Sequence, residues 1–187
     1  YAAGYIETWK DPDVRNPFYI SLRNTVGGSF IVDHEIYAGD TQKGGEIGHM
    51  AVVPENGELC YCGKYGCFDT VCRAGKLDEY TNGNLEEFFH RLGAGDERAA
   101  ALWDVYLDHL ASAIYNIRIL FDCKVILGGY VGAYIGDYLE DLYQRVDEKN
   151  PFEDKAEDYI LPAAIKKRHL RQERQSSLST NFCRIFS

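Results

Sequence analysis

One histidine and three cysteines of the sequence have the types and the spacing of metal ligands. The pattern H-x10-C-x-C-x4-C is formed by His49, Cys60, Cys62 and Cys67. Thiolate and imidazole are the ligands that a tetrahedral structural zinc ion takes. A one-residue gap between two cysteines needs a sharp turn of the chain, and Gly63 and Gly66 permit one. The pattern therefore predicts a structural zinc site.

The remaining cysteines and histidines have no clustered partners. Cys72 is a fifth candidate ligand, but it falls in a predicted helix and is interpreted as a small core residue. We expect Cys123 and Cys183 to be structural as well. The other histidines are interpreted as surface or satisfied side chains: His34, His90, His109 and His169. The alternative for the motif itself is a set of reduced cysteines in a loop, with its histidine on the surface.

A glycine-rich loop must carry the motif, and regular elements must position it. Residues 38–66 show little periodicity and contain seven glycines, and so long a loop in a compact domain is usually functional or cross-linked. The preceding segment predicts a β-meander. Its strands are expected at 18–22, 29–32 and 36–37, with a glycine pair (27–28) between the first two and a turn at 33–35.

Helices dominate the sequence that follows the loop. The apolar periodicity predicts helices at about 67–80, 84–92, 96–120 and 135–146, and residues 1–10 also look helical. Asn84, with Glu87 three residues on, is the predicted N-cap of the second of these. The apolar run at 124–127, which ends at two glycines, predicts a buried strand, and a short strand is expected at 160–161.

Composition excludes several classes of protein. Of the 187 residues, 45% are hydrophobic and 13% aromatic, which is enough for a folded core. No apolar run is long enough to predict a membrane span. With 20 Lys and Arg against 29 Asp and Glu, the net charge is −9, which argues against a nucleic-acid-binding module. Clustered cysteines without a visible leader favour metal binding in a reducing cytoplasm. Because the chain begins with a helix-like Tyr1-Ala2-Ala3-Gly4, we expect a piece of a longer protein.

Two motifs around the loop resemble the ROK family, which groups bacterial sugar-responsive repressors, uncharacterised open reading frames and sugar kinases. The motifs are Gly45-Glu46-Ile47-Gly48-His49-Met50 and Cys60-Tyr61-Cys62-Gly63-Lys64-Tyr65-Gly66-Cys67-Phe68-Asp69. The resemblance covers about residues 1–165. It implies an α/β fold of the actin-like, ribonuclease-H-like ATPase type, with two lobes around a cleft. This chain would be the C-terminal lobe, with a zinc-stapled loop at 45–69.

The resemblance also implies a sugar site beside the zinc. In the family the Glu and the His of the first motif touch sugar hydroxyls, and these are Glu46 and His49 here. A carboxylate can accept from two adjacent hydroxyls and so distinguish stereoisomers. Zinc on one imidazole nitrogen leaves a defined N–H on the other. A further glutamate of the family is the shorter Asp69 here; we expect it to contact sugar, the alternative being a charge at a helix N-terminus.

The resemblance is weaker on the nucleotide side. The glycine loops there correspond to Thr25, Gly27, Gly28, Gly128 and Gly129. Kinases of the family resemble T-G-x-G-G-G where this chain has N-T-V-G-G-S at 24–29, and they usually carry a third glycine where it has Tyr130. Backbone N–H groups then approach phosphates less closely, and the ring at 130 either blocks a nucleotide or stacks on it. The family's catalytic Asp would fall about two positions before Tyr1, so we expect no catalytic residue and no phosphorylation from this stretch alone.

These features together predict the sugar-sensing lobe of a ROK-type transcriptional regulator. It would bind a hexose or hexosamine, free or phosphorylated, form a homo-oligomer such as a dimer, and reach DNA only through a region outside this chain. The alternative is the C-terminal lobe of a glucokinase-like enzyme that uses ATP and Mg, and a third reading is a zinc-stapled dimerisation domain without a ligand. Residues 166–187 lose the resemblance, and their basic and polar composition predicts a solvated tail; nucleic-acid contact and a changed reading frame are the alternatives.

Overall fold

The structure is a computed structural model that describes residues 14–163. The predicted helix at 1–10 and the predicted tail at 166–187 lie outside the described residues. A five-stranded mixed sheet stands at the centre, in the order β3-β2-β1-β4-β5. The strands are β1 (Phe18–Leu22), β2 (Val26–Val32), β3 (Glu35–Ile36), β4 (Val125–Gly128) and β5 (Ile160–Pro162).

Strand β1 joins the two halves of the sheet. It pairs antiparallel with β2, with Phe18 opposite Phe30, and parallel with β4, with Phe18 opposite Val125. A short turn suffices for the first pairing, whereas the second needs a crossover, which the intervening helices provide. Since β1 and β4 run in parallel, the turn after Leu22 and the glycines after Leu127 meet at one end of the sheet. All four residues of β4 are buried, which confirms the predicted buried strand.

Seven helices follow the loop in the described part of the chain. They are α1 (Phe68–Cys72), α2 (Gly75–Asp78), α3 (Leu85–Gly93), α4 (Glu97–Phe121), α5 (Gly129–Gly132), α6 (Leu139–Lys149) and α7 (Ala156–Tyr159). Single turns of 3-10 helix occupy Ile47–His49, Glu79–Thr81 and Ile135–Tyr138. Helix α4 packs against α1, α3 and α6. Its apolar face is buried at three- and four-residue steps, including Tyr106, Leu110 and Ile117.

Side-chain caps fix the N-terminal ends of α3 and α4. The Asn84 amide oxygen accepts from the backbone N–H of Glu87 at 3.0 Å, which confirms the predicted N-cap of α3. Asp96 likewise accepts from Ala99 N–H at 2.9 Å at the start of α4. Helix α4 ends where Asp122 adopts a left-handed conformation. Among the described residues, no helix combines the length and the apolar character needed to cross a bilayer.

The predicted helix at 67–80 is wrong as one continuous element. Arg73 takes an extended conformation that separates α1 from α2, and the N–H of Ala74 donates to the carbonyl of Arg23 at 2.7 Å. A contact with the β1–β2 turn thus replaces the helical hydrogen bond. Strand β2 is also longer than predicted, since the glycine pair lies within it. The expected helix at 135–146 begins as a 3-10 turn and becomes α-helical only at Leu139.

Candidate metal centre

The four predicted metal ligands come together in the structure. The donor atoms of His49, Cys60, Cys62 and Cys67 all lie within 4.8 Å of one another. Cys62 Sγ is 3.6 Å from Cys67 Sγ, and His49 Nδ1 is 3.7 Å from Cys60 Sγ. A tetrahedron with Zn–S bonds of about 2.3 Å has edges of roughly 3.8 Å. The arrangement and the chemistry of the donors therefore fit a tetrahedral zinc ion, and zinc itself stays a prediction.

Backbone hydrogen bonds build the tight turn that brings the sulfurs together. Cys60 N–H donates to the carbonyl of Lys64 at 2.7 Å, and Gly63 N–H donates to the carbonyl of Cys60 at 2.9 Å. Gly63 and Gly66 both have positive φ, +83° and +69°. A Cβ on Gly66 would lie 1.7 Å from the Val53 carbonyl oxygen. The expectation that both glycines permit the turn is confirmed, and Gly66 is also required by close packing.

The two thiols of the closest pair differ in acidity. Burial, reinforced by the neighbouring Cys62 and Cys60, raises the pKa of Cys67 to about 12. The backbone N–H of Lys64 lowers the pKa of the exposed Cys62 thiol. Without a cation, Cys67 thus keeps its proton at neutral pH. A divalent cation between the four donors favours the thiolate form, because its charge acts directly on the sulfurs.

The segment with Glu46 and His49 lies directly on the backbone of β2. A Cβ on Gly45 would lie 2.3 Å from the Gly28 carbonyl oxygen, and one on Gly48 would lie equally close to that of Val26. The two glycines therefore let a single 3-10 turn pack against the strand and hold both functional side chains. Glu46 is exposed at the start of this turn. Because His49 Nδ1 faces Cys60, Nε2 is the ring nitrogen that remains for a ligand.

Asp69 is placed in a more enclosed environment than Glu46. Its residue exposure is 4%, and Oδ1 accepts from the backbone N–H of Val26 at 2.6 Å. It also lies in the first turn of α1. The carboxylate thus supports the start of β2, and a sugar contact, which stays a prediction, would use the acceptor sites that this bond leaves on Oδ1 and Oδ2.

The glycines on the predicted nucleotide side differ in whether local packing requires a glycine at that position. A Cβ on Gly128 would lie 2.0 Å from Tyr19 Oη, and Gly129 has a φ of +86° beside the backbone of Leu22. Packing therefore requires both. Gly28 is likewise enclosed, by Phe18 and Ile47, whereas the site of a Cβ on Gly27 has no atom within 4 Å. Thr25 lies exposed in the turn before them. Only Gly27 among these glycines leaves open space for a ligand to approach the backbone.

Tyr130 is part of the core and does not project into open space. Its exposure is 5%, and the Arg23 guanidinium lies 5.3 Å from the ring centroid. This cation–π contact uses a ring face. A nucleotide base would have to displace Arg23 to stack there, so the geometry disfavours the stacking alternative. The role of Arg23 was missed by sequence reasoning; its signal is its position directly before the altered glycine loop.

Tyr61 is a second residue that sequence reasoning missed. Its ring lies edge-on to the His49 imidazole, with centroids 5.0 Å apart and an interplanar angle of 73°. Desolvation of the phenol, followed by the negative charges of Asp69, Cys60 and Glu46, raises the pKa of Tyr61, although the residue as a whole is exposed. Its pKa thus responds to both of the predicted sugar-binding carboxylates. Its signal in the sequence is its position between two of the proposed ligands.

A separate acidic groove shares no residue with the metal cluster. It has a volume of about 780 Å³ and is lined mainly by carboxylates of α6, together with Glu157. Its negative potential would repel sugar phosphates and nucleotides. The groove is therefore a poor candidate for the ligand site that the sequence motifs predict.

Comparison with known proteins gives a consistent family assignment. A family model described as ROK family matches residues 1–174. An N-acetylmannosamine kinase of Escherichia coli is 31% identical over 128 residues, which cover 65% of this chain and 44% of the relative. The chain spans less than half the length of the curated relatives of this kind that it matches.

Two solved structures have the same fold in the matched region. A ROK hexokinase from Thermus thermophilus has a TM-score of 0.69 at 24% identity, over 79% of this chain and 52% of that chain. A ROK family transcriptional regulator, described as a homolog of the Escherichia coli MLC protein, has a TM-score of 0.68 at 23% identity, over 80% and 42%. Structural similarity thus extends to a kinase and to a regulator and does not choose between them.

Proposed function

Since the chain belongs to the ROK family, we propose that residues 1–165 form the C-terminal, sugar-binding lobe of an actin-like ROK protein. The ligand is a hexose or hexosamine, free or phosphorylated, bound beside a structural zinc ion. The relatives named N-acetylmannosamine kinases support a sugar-related function and make an N-acetylated hexosamine the first ligand to test.

The convergence of one imidazole and three thiols beside Glu46 carries this proposal. When bound, zinc would order a loop that has little core of its own; the apparent binding free energy is on the order of 10 kcal/mol in small zinc peptides. With Nδ1 directed at the thiols, His49 would present Nε2–H as a hydrogen-bond donor. The exposed Glu46 carboxylate would accept from one or two sugar hydroxyls. A donor and an acceptor fixed on one short turn can discriminate between hydroxyl configurations.

The nucleotide side favours the regulator over the kinase. Ser29 stands where kinases of the family have a glycine, and it is buried at 1% exposure. Tyr130, in the place of another glycine, fills the core and carries Arg23 on its ring. At both positions the chain lacks the glycine whose backbone N–H groups a phosphate can approach most closely. In a regulator, sugar binding shifts the balance between two arrangements of the lobes by its differential affinity, and DNA contact would come from a region outside this chain.

An ATP-dependent sugar kinase is the second candidate. It is favoured by the kinase names of the sequence relatives and by the open approach to Gly27. A coupled assay of the protein, in the full length that its gene encodes, with ATP, Mg and N-acetylmannosamine or glucose separates the two candidates. We expect no turnover above background. Turnover on the order of 1 s⁻¹ or faster would establish a kinase.

Metal analysis tests the zinc site directly. We expect about one zinc ion per chain in the purified protein, and a strongly reduced content in His49→Ala. The matched control is His90→Ala, because His90 is exposed on α3 and lies outside the cluster. Absence of stoichiometric zinc from the wild-type protein would contradict the proposed site.

A thermal-shift screen tests the sugar site. The ligand among hexoses, N-acetylhexosamines and their 6-phosphates should raise the melting temperature by mass action. At a hundredfold excess over Kd, binding adds about 2.7 kcal/mol to the free energy of unfolding. Glu46→Gln should reduce the response while leaving the zinc content unchanged, because Glu46 is not among the four clustered donors. A flat screen on the full-length, zinc-loaded protein would refute sugar binding.

A further inference from the structure

Tyr61 is the most exposed large hydrophobic side chain that the structure describes. Its exposure is 74%, compared with 63% for the neighbouring Tyr65 and 62% for Leu59. Tyrosine combines a large apolar ring with a polar hydroxyl, which makes it frequent at binding surfaces. The position of Tyr61 therefore raises the question of what covers its ring.

The backbone at Tyr61 is unusually well fixed for an exposed position. Tyr61 lies between Cys60 and Cys62, inside the turn closed by the hydrogen bonds Cys60 N–H to Lys64 O and Gly63 N–H to Cys60 O. Cys60 is buried, and both cysteines belong to the candidate metal cluster. A ring held in this way loses little conformational freedom when a ligand binds, which favours its use as a contact surface.

The polar surroundings of the ring are those of the candidate sugar site. The His49 imidazole lies beside the Tyr61 ring, and the centroids of the two rings are 5.0 Å apart. Glu46 lies at the start of the 3-10 turn that carries His49, and Asp69 lies in the first turn of α1, two residues after the clustered Cys67. An apolar ring beside a hydrogen-bond donor and two carboxylates matches the surface of a pyranose, which has C–H patches on its faces and hydroxyls at its rim.

We propose that Tyr61 is a specificity-determining wall of the sugar site and that its ring covers an apolar C–H face of the bound pyranose. This inference rests on the proposed sugar-binding function and adds to it a residue that selects sugars by the C–H pattern of one face. Glu46 and His49 then hydrogen-bond to hydroxyls at the rim of the pyranose. Tyr61 disfavours sugars that direct an axial hydroxyl at the tyrosine ring, because that hydroxyl would lose its hydrogen bond to water without gaining a partner.

The test measures dissociation constants of N-acetylmannosamine, N-acetylglucosamine, glucose, galactose and mannose for the zinc-loaded, full-length protein; the last two carry an axial hydroxyl at C4 and at C2. Tyr61→Phe keeps the ring and should bind the preferred sugar within about threefold of wild type. Tyr61→Leu keeps the bulk without the ring and should bind it roughly tenfold more weakly. The ratio of affinities between the sugars should also fall in Tyr61→Leu. Tyr65→Leu is the matched control, since Tyr65 is an exposed tyrosine of the same loop, and it should bind like wild type.

The outcomes separate this inference from the proposed function. If the wild type binds a sugar and Tyr61→Leu binds it equally well with equal zinc content, the inference is wrong and the proposed function stands. If Tyr61→Leu changes the sedimentation coefficient rather than sugar affinity, the ring is covered by another protein copy and the inference is again wrong. If no sugar binds the wild type, both fail. Should Tyr61→Leu lose zinc, the comparison of wild type with Tyr61→Phe and with Tyr61→Met at equal zinc content gives the same decision.

Discussion

The loop at 38–66 and the helical layer around α4 are ordered by different forces. In the loop, only Gly48, Cys60 and Gly66 are buried, and two of these three have no side chain. In α4, nine residues are buried, and they include large side chains such as Trp103 and Leu110. Hydrophobic burial stabilises the helical layer, whereas backbone hydrogen bonds hold the loop, and the proposed zinc ion on the four donors would stabilise it further. The part of the molecule that carries the proposed ligand site is therefore the part with the least core.

This contrast means that the two regions should respond separately to perturbation. Loss of the metal should open the loop and leave the helical layer folded, and a cavity in the core should lower global stability without changing the donor cluster. The loop still touches the body through the Gly45–Gly28 and Met50–Phe68 backbone hydrogen bonds. The separation is thus expected to be large but not complete.

The largest effect is expected from metal loss. Cys67→Ser, or treatment of the wild type with a strong chelator, should make the chain sensitive to protease within 38–66, because binding free energy on the order of 10 kcal/mol no longer orders the loop. Limited proteolysis with mass spectrometry locates the cuts, and far-ultraviolet circular dichroism should show retained helix. Cys123→Ser is the matched control, since Cys123 is buried outside the cluster. Loss of helical circular dichroism together with cleavage of the loop would contradict the expected difference between the two regions.

A cavity in the helical layer should give the next largest effect. Leu110 is fully buried on α4, so Leu110→Ala is expected to reduce the free energy of unfolding by about 2–5 kcal/mol. The zinc content of the folded variant should not change. Leu120→Ala is the control, because Leu120 lies on the same helix at 72% exposure and should alter stability by less than about 0.5 kcal/mol. Urea unfolding monitored by circular dichroism measures both variants.

A substitution within the turn should have a smaller and local effect. Gly66→Ala puts a Cβ against the Val53 carbonyl in a left-handed conformation, and such strain costs roughly 1–3 kcal/mol. We expect zinc to bind about tenfold or more weakly, as competition with a chromophoric chelator would measure. Gly63→Ala has the same type of φ but open space around the added methyl, so it should weaken binding less. Equal effects would show that conformation alone, rather than packing, limits this position.

The smallest effect concerns the charge at the start of α4. Hydrogen bonds from Ala99 N–H and Tyr80 O–H lower the pKa of Asp96. A carboxyl whose pKa is lower in the folded state stabilises the fold above its unfolded pKa, about 3.9, and loses this contribution as the pH falls through the folded value. Asp96→Asn should therefore melt slightly below wild type at pH 7, and the difference should vanish at strongly acidic pH. Asn84 is an uncharged cap, so the effect of Asn84→Ala on the melting temperature should not change over the pH range in which Asp96 titrates.

Local signals in the sequence predicted the metal loop and the long helix well. Spacing alone named the four donors that the structure brings together, and the apolar repeat placed α4 to within one residue at each end. The break at Arg73 could not be predicted this way, since it depends on a hydrogen bond between Ala74 and the distant turn at Arg23. The contact between Arg23 and Tyr130 depends in the same way on the parallel pairing of β1 with β4.

The bond from Val26 N–H to Asp69 limits where this carboxylate can accept further hydrogen bonds. The amide fills one acceptor site of Oδ1 at 2.6 Å, which leaves a second site on Oδ1 and the sites of Oδ2. An alcohol that displaced the amide would leave a buried N–H unpaired, at a cost of about 1–3 kcal/mol. If Asp69 binds a sugar as proposed, the backbone of β2 would therefore limit the directions from which a hydroxyl can donate.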